Sequence, residues 1–244
     1  VTRHRHPARD LAQIAVFAGL IAALGLPGGI QVGSTSVMIT FQTLGVMLAG
    51  AVLGPRKGVA AVAVFAVLVA AGLPLLSGGR GGISWLTTAP SAGYPYGWLL
   101  GAFVIGLATR RLLPAYRLWL ALPLTALGGM VAVYAVGVPV TALNAGVPLG
   151  AAFVDSLKFW PGDLIKVVVT VLVARQVHRA YPGLIGRPAG GRPTRAVAGD
   201  PVAADGRAPG GSTPSRARPA GSRDGGSPAP AAAHPDHHPT GGDR

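Results

Sequence analysis

The chain has 244 residues, 50% of them hydrophobic and only 12% charged, about half the charged share of a soluble domain, and its mean hydropathy is +0.48. Such a composition leaves too little polar surface to coat a water-soluble globule. Cysteine is absent, which excludes disulfide frameworks, thiol nucleophiles, Cys-type zinc sites and iron–sulfur clusters.

The charges are unevenly placed. Up to Tyr181 there are 13 Lys and Arg against three acids, Asp10, Asp155 and Asp163; from Pro182 onward there are eight Arg and five Asp, with no Glu anywhere. The chain therefore divides into an apolar body, 1–181, and a polar tail, 182–244. A net charge of +13 raises the question of nucleic acid, but the basic residues sit in small groups between apolar runs and form no stripe, so no nucleic-acid partner is expected.

Six apolar segments follow one another: 11–26, 38–53, 58–76, 94–109, 118–140 and 163–177. The expected fold is all-α, a polytopic membrane protein with six transmembrane helices. Several segments fall short of the ~20 residues that a helix needs to span the hydrocarbon core. Short, Gly-rich, Pro-flanked segments imply irregular backbone at membrane depth, tolerated only where it is buried in protein or lines a cavity. The first segment follows Arg3, Arg5 and Arg9 like a signal peptide, but no A-x-A-like cleavage site comes before Gly28. Its Ala18-Gly19-Leu20-Ile21-Ala22 is a small-x-x-x-small pattern suited to close helix approach.

Lys and Arg alternate between connections. Three precede segment one and none follow it; Arg56 and Lys57 come next, then Arg80 alone, then Arg110, Arg111 and Arg117, then Lys158, with Arg175 and Arg179 closing the last helix. The positive-inside rule places both termini in the cytoplasm.

Segment two opens on Thr40-Phe41-Gln42-Thr43. Buried Thr43 and Gln42 side chains in a membrane need partners, either a neighbouring helix or a ligand. The outer connection Ser77-Gly78-Gly79-Arg80-Gly81-Gly82 leads to Pro90-Ser91-Ala92-Gly93-Tyr94. Its glycines allow sharp turns and close backbone approach, and the planar guanidinium of Arg80 suits bidentate capture of a carboxylate; an Arg simply solvated at the interface is the alternative. The pattern is neither a P-loop nor a dinucleotide fingerprint. Trp85, Tyr94, Tyr96, Trp98, Phe159 and Trp160 cluster at the outer level. An interfacial belt accounts for most of them, but these residues would also supply the walls of an apolar pocket, with Trp85 and Tyr94 as the candidates carried to the site.

The strongest local signal is Phe159-Trp160-Pro161-Gly162-Asp163-Leu164-Ile165-Lys166. Proline suits the first turn, so the last helix starts near Pro161. Asp163 then sits favourably against the helix dipole, and Lys166 projects from the same face three residues on. Charged groups at membrane depth each cost roughly 2.5–3.5 kcal/mol to insert, so they usually face a cavity and mark a substrate path. A mutually neutralised pair that only fixes the helix is the alternative. From Pro182 the Pro, Gly, Ala, Ser, Arg and Asp composition cannot offset ordering entropy and reads as a disordered cytoplasmic tail. Its His234, His237 and His238 fit a solvated low-complexity end better than a metal site, and no metal or cofactor site is expected.

The stretches Thr40-x-Gln42-Thr43 with Leu53-Gly54-Pro55-Arg56-Lys57-Gly58, Gly78-Gly79-Arg80-Gly81-Gly82 to Tyr94, and Pro161-Gly162-Asp163-x-x-Lys166 together resemble the biotin-binding membrane subunit family of energy-coupling-factor transporters. The resemblance covers about 11–179. It implies a six-helix subunit in a bacterial plasma membrane that captures biotin from outside. Its partners would be a shared transmembrane coupling subunit driven by two ATPase subunits, together with membrane lipid. Asp163 and Lys166 would serve the ureido ring, and Arg80 or Lys166 the valerate carboxylate. Two departures stand out: Pro90-Ser91-Ala92-Gly93-Tyr94 where the family usually reads Pro-Thr-Gly-Gly-Tyr, and no prolines before Thr40. A subunit for another vitamin is the runner-up, and a structural or assembly membrane protein is a further alternative. An intramembrane enzyme is disfavoured, since the body past the amino-terminal residues has one His, His178, no Cys and no Glu.

Overall fold

The computed structural model describes residues 7–31 and 37–185. Arg3 and Arg5, the tail from 186 with its three histidines, and Ser36 lie outside the described residues. The elements run α1 (Pro7–Ala23), β1 (Ile30–Gln31), β2 (Met38–Ile39), α2 (Gln42–Ala70), α3 (Ser84–Thr87), α4 (Gly93–Leu112), α5 (Leu118–Ala126), a π turn (Leu127–Ala132), α6 (Val133–Ala145), α7 (Leu149–Ser156), a 3-10 turn (Leu157–Phe159) and α8 (Trp160–Ala180). The described residues are helical apart from connections and one two-stranded ribbon, in which Ile30 pairs with Ile39 and Gln31 with Met38.

Gln42–Ala70 and Leu118–Ala145 are long and apolar enough to cross a membrane. The first of these is two helical halves, because Gly54 leaves helical geometry with φ 81° and Pro55 follows it. The chain reverses there: a Cβ on Gly58 would meet the carbonyl of Ala49 at 2.8 Å, whereas eight or nine residues of continuous helix would separate the two by about 12 Å. The far ends agree, since Gln42 touches the Leu75 carbonyl. Segments 38–53 and 58–76 are therefore antiparallel passes joined by a turn, as their separation into two runs implies. With α1, α4, the helix 118–145 and α8 they make six passes. The last helix starts at Trp160, with Pro161 in its first turn as the sequence predicts.

The polarity of α8 is inverted relative to a soluble helix. Leu164, Ile165, Val168, Val169, Leu172 and Val173 are exposed, while Asp163, Lys166 and Thr170 are buried. Water would reverse that arrangement; hydrocarbon favours it.

Close helix approach depends on glycines along α4 that recur every fourth residue. A Cβ on Gly97 would meet the Val133 carbonyl at 2.7 Å, and one on Gly101 the Gly128 carbonyl at 2.7 Å, so helix 118–145 lies backbone to backbone on α4. The small-residue pattern of α1 has a lesser part: Ala18 is buried while Gly19 has nothing near it. At the opposite end the folded chain continues to Ile185, whose side chain packs over Gly54. Packing thus extends through the first four residues of the stretch read as tail.

Candidate functional site

The outer ends of α2, α4 and α8 converge with the 72–82 connection and strand β2 on an open cleft. Asp163 and Lys166 face it from α8, where the i, i+3 spacing brings Nζ to 2.9 Å from Asp163 Oδ1. Lys166 also donates to the Thr40 carbonyl at 2.6 Å and to Thr43 Oγ1 at 2.8 Å, so all three of its N–H groups are engaged. The Tyr134 hydroxyl donates to the other oxygen of Asp163. The pair is thus desolvated but hydrogen-bonded throughout, the condition under which buried charge persists. Each carboxylate oxygen accepts one bond and keeps capacity for another.

Tyr134 reaches this place because of the π turn just before α6. The turn inserts an extra residue and rotates the downstream residues about the helix axis, so that Val133 and Tyr134 both face the cleft. Gly128 and Gly129 open that turn: Cβ atoms there would press on Ile105 and Met47.

Gln42 lines the cleft but is consumed by the fold. Its Nε2 donates to the Leu75 carbonyl at 3.0 Å and to the Ile21 carbonyl at 3.4 Å, and its Oε1 accepts from the Ser77 backbone N–H at 3.0 Å. One side chain so ties α1 and the 72–82 connection to the start of α2. Of the two expectations for a buried polar side chain here, the helix and loop contacts are the ones formed.

Arg80 stands at the rim, half-buried. Its Nε donates to the Ser77 carbonyl at 2.7 Å, one terminal nitrogen lies 3.4 Å from Met38 Sδ, and the guanidinium sits 4.6 Å over the Trp85 ring. Burial lowers its pKa from the usual guanidinium value. Trp85 does not line the cleft; it contacts Arg80, which does. Tyr94 lines the wall edge-on to Phe159 at 6.0 Å, and its ring lies flat against Gly137, where a Cβ would approach it to 2.8 Å. The structure therefore brings Gln42, Thr43, Arg80, Tyr94, Asp163 and Lys166 to one cleft and leaves Trp85 one contact away. Sequence reasoning missed Tyr134, whose only signal is a lone phenol in the apolar run 118–140; of the outer-level aromatics offered either as an interfacial belt or as pocket walls, Tyr94, Trp98 and Phe159 line the cleft.

The chain matches the model of the BioY family over residues 2–183. It is 46% identical over 184 residues to the Biotin transporter BioY of Rhizobium etli, an alignment spanning 73% of this chain and 98% of that one. The Biotin transporter BioY of Rhodobacter capsulatus is 45% identical over 189 residues, covering 72% of this chain and 97% of the relative. Among solved structures, the 2.1 Å S-component for biotin from an ECF-type ABC transporter superposes with a TM-score of 0.69 at 32% identity, over 73% of this chain and 95% of that one. A six-pass helical body, matched by the family model from its first helix to the end of α8 and by relatives along nearly their whole length, makes this chain a member of the BioY family.

Proposed function

We propose that the chain is the substrate-capture subunit of a biotin transporter, taking biotin into the cleft from the outer side and delivering it through an ATP-driven coupling module. The observation that carries this reading is the cluster of Asp163, Lys166 and Tyr134, a charged and hydrogen-bonded group set in an aromatic and aliphatic cleft of a membrane protein. The relatives, which bear the name biotin transporter, support the choice of vitamin. Members of this family are transporter components and not enzymes.

A ureido group offers two N–H donors and a carbonyl acceptor, and Asp163 has lone pairs left for the donors. Arg80 has committed two of its five N–H groups, which leaves a fork at the rim for the valerate carboxylate. The fused rings and aliphatic arm lie against Tyr94, Phe159 and Trp98. The partners of this reading are a transmembrane coupling subunit, two ATPase subunits and membrane lipid. The body 1–181 sits multi-pass in a bacterial plasma membrane with both termini inside, and the tail is dispensable for binding beyond about Pro188.

Calorimetric titration of biotin into detergent-solubilised protein, beside a panel of other vitamins, tests the reading. One-site binding of biotin is expected; binding of another vitamin in its place overturns it. A cysteine introduced near Gly210, in a chain with no native cysteine, should stay unreactive to an impermeant reagent on intact cells.

A further inference from the structure

Tyr134 belongs to two cavities. Its hydroxyl donates to Asp163 in the cleft, while its side chain also lines a second, apolar groove between α7 and the helix formed by the π turn and α6. Tyr134 and Val138 make the floor of that groove, and Val131, Leu149, Phe153 and Trp160 its walls. The floor is buried, 9% and 5% exposed, whereas the walls are 43–58% exposed. The groove forms because α6 packs on α7 and the π turn on α8, with a gap left between those two contacts. Val131, Ala135 and Pro139 follow one edge in steps of four residues, about 12 Å along the axis.

The surroundings of the groove say what fills it. It lies on Leu118–Ala145, one of the two helices long and apolar enough to cross a membrane, in the half farther from Arg117. The face beside it stays apolar, with Val154, Leu157 and Leu164 exposed, so the medium at its mouth is hydrocarbon. Water has nothing to hold it there: the polar side-chain atoms of the lining are the Tyr134 hydroxyl, already given to Asp163, and the Trp160 indole nitrogen. Lipid tails are as apolar as these side chains, so packing and not the hydrophobic effect selects the occupant. An empty groove forfeits dispersion contacts along its floor, and a narrow seam parallel to a helix axis is shaped for a chain.

We infer that one acyl chain of an outer-leaflet phospholipid binds in this groove, with the Tyr134 ring as the partition between the chain and the cleft. A chain packed against the ring keeps the hydroxyl on Asp163, so the lipid supports the buried charge pair without touching it. The inference goes beyond the biotin reading and does not depend on which ligand the cleft takes.

The test places the full chain, one copy per disc, in bilayer discs of phosphatidylethanolamine and phosphatidylglycerol. A small share of the phosphatidylglycerol carries a photoactivatable diazirine midway along one chain, and adducts are mapped by peptide mass spectrometry. The exposed Val64, Val67 and Leu68 of α2 report lipid that merely surrounds the protein. Labelling of the groove residues should exceed theirs about fivefold, a preference close to 1 kcal/mol. Gly150→Phe plugs the groove from α7, where a Cβ meets nothing within 4 Å, and Ala135→Phe plugs it from the opposite wall. Either plug should bring groove labelling down to the level of α2 and leave α2 unchanged. Tyr134→Ala removes the partition and should bring adducts onto Phe159 or Asp163 in the cleft. Equal labelling of groove and α2 in the wild type, or groove labelling that survives both plugs, means surrounding lipid only and overturns the site. Adducts that stay out of the cleft in Tyr134→Ala overturn the partition. A dimer in discs loaded with two copies, broken by both plugs, puts a second copy in the groove and overturns the lipid assignment.

Discussion

Asp163→Asn keeps the shape of the side chain and removes the charge from a pair whose side chains are only 5% and 9% exposed. At 2.9 Å and an effective dielectric near 20, the attraction is on the order of 6 kcal/mol, much of it offset by desolvation of the two ions. Deleting one partner of a buried pair costs about 3–5 kcal/mol because the other charge is stranded. Lys166 keeps the Thr40 carbonyl and Thr43 Oγ1, so the low end, about 3 kcal/mol, is expected in denaturant unfolding of the detergent-solubilised protein. Binding reports separately. Hydrogen bonds to a charged acceptor contribute roughly 1.5–3 kcal/mol, so biotin affinity by calorimetry should fall about 10- to 150-fold. Adding Lys166→Met removes the stranded charge and should recover most of the stability and none of the affinity. If Asp163→Asn inserts normally and binds biotin like the wild type, the pair only fixes the helix and the site is misassigned.

Gln42→Ala removes two donated bonds and one accepted bond and strands the Ser77 N–H, so unfolding stability should drop by about 2–4 kcal/mol; a wild-type denaturation curve would refute its pinning role. Arg80→Gln should weaken biotin more than biotin amide in parallel titrations, and equal losses would separate Arg80 from the carboxylate. Tyr116, in the connection between α4 and α5, is buried, and its phenol is pushed from the ordinary 10 up to about 12. The folded protein thus holds a proton that the unfolded chain loses above pH 10. Its stabilising contribution is complete below pH 10 and is lost as pH rises to about 12, roughly 2–3 kcal/mol across the window. Tyr116→Phe should flatten that alkaline decline in unfolding measurements, and an unchanged slope would count against it.

Much of the site was readable because its central contact is local. The spacing of Asp163 and Lys166 along one helix suffices to bring them together, and Pro161 marks where that helix begins. Gln42 and Thr43 were readable as polar groups in an apolar setting, but their partners were not. Lys166 meets Thr43 across 123 residues and Gln42 meets Ser77 across 35, and no periodicity encodes such pairings. The same holds for Tyr134, which reaches Asp163 only after a π turn changes the register of its helix. The glycines at 93, 97 and 101 were a readable signal of close packing that the alanine pattern of α1 drew attention from.

Hydropathy and the placement of Lys and Arg determined by themselves that this is a membrane protein of six passes, since insertion depends on the local transfer cost of each segment. The tertiary structure alone decided which polar side chains spend their hydrogen bonds on the fold and which keep capacity at the cleft. That division depends on hydrogen-bond capacity, and capacity is spent on partners far away in the chain. Gln42 turned inward to bind three backbone groups, and Lys166 used every proton it had.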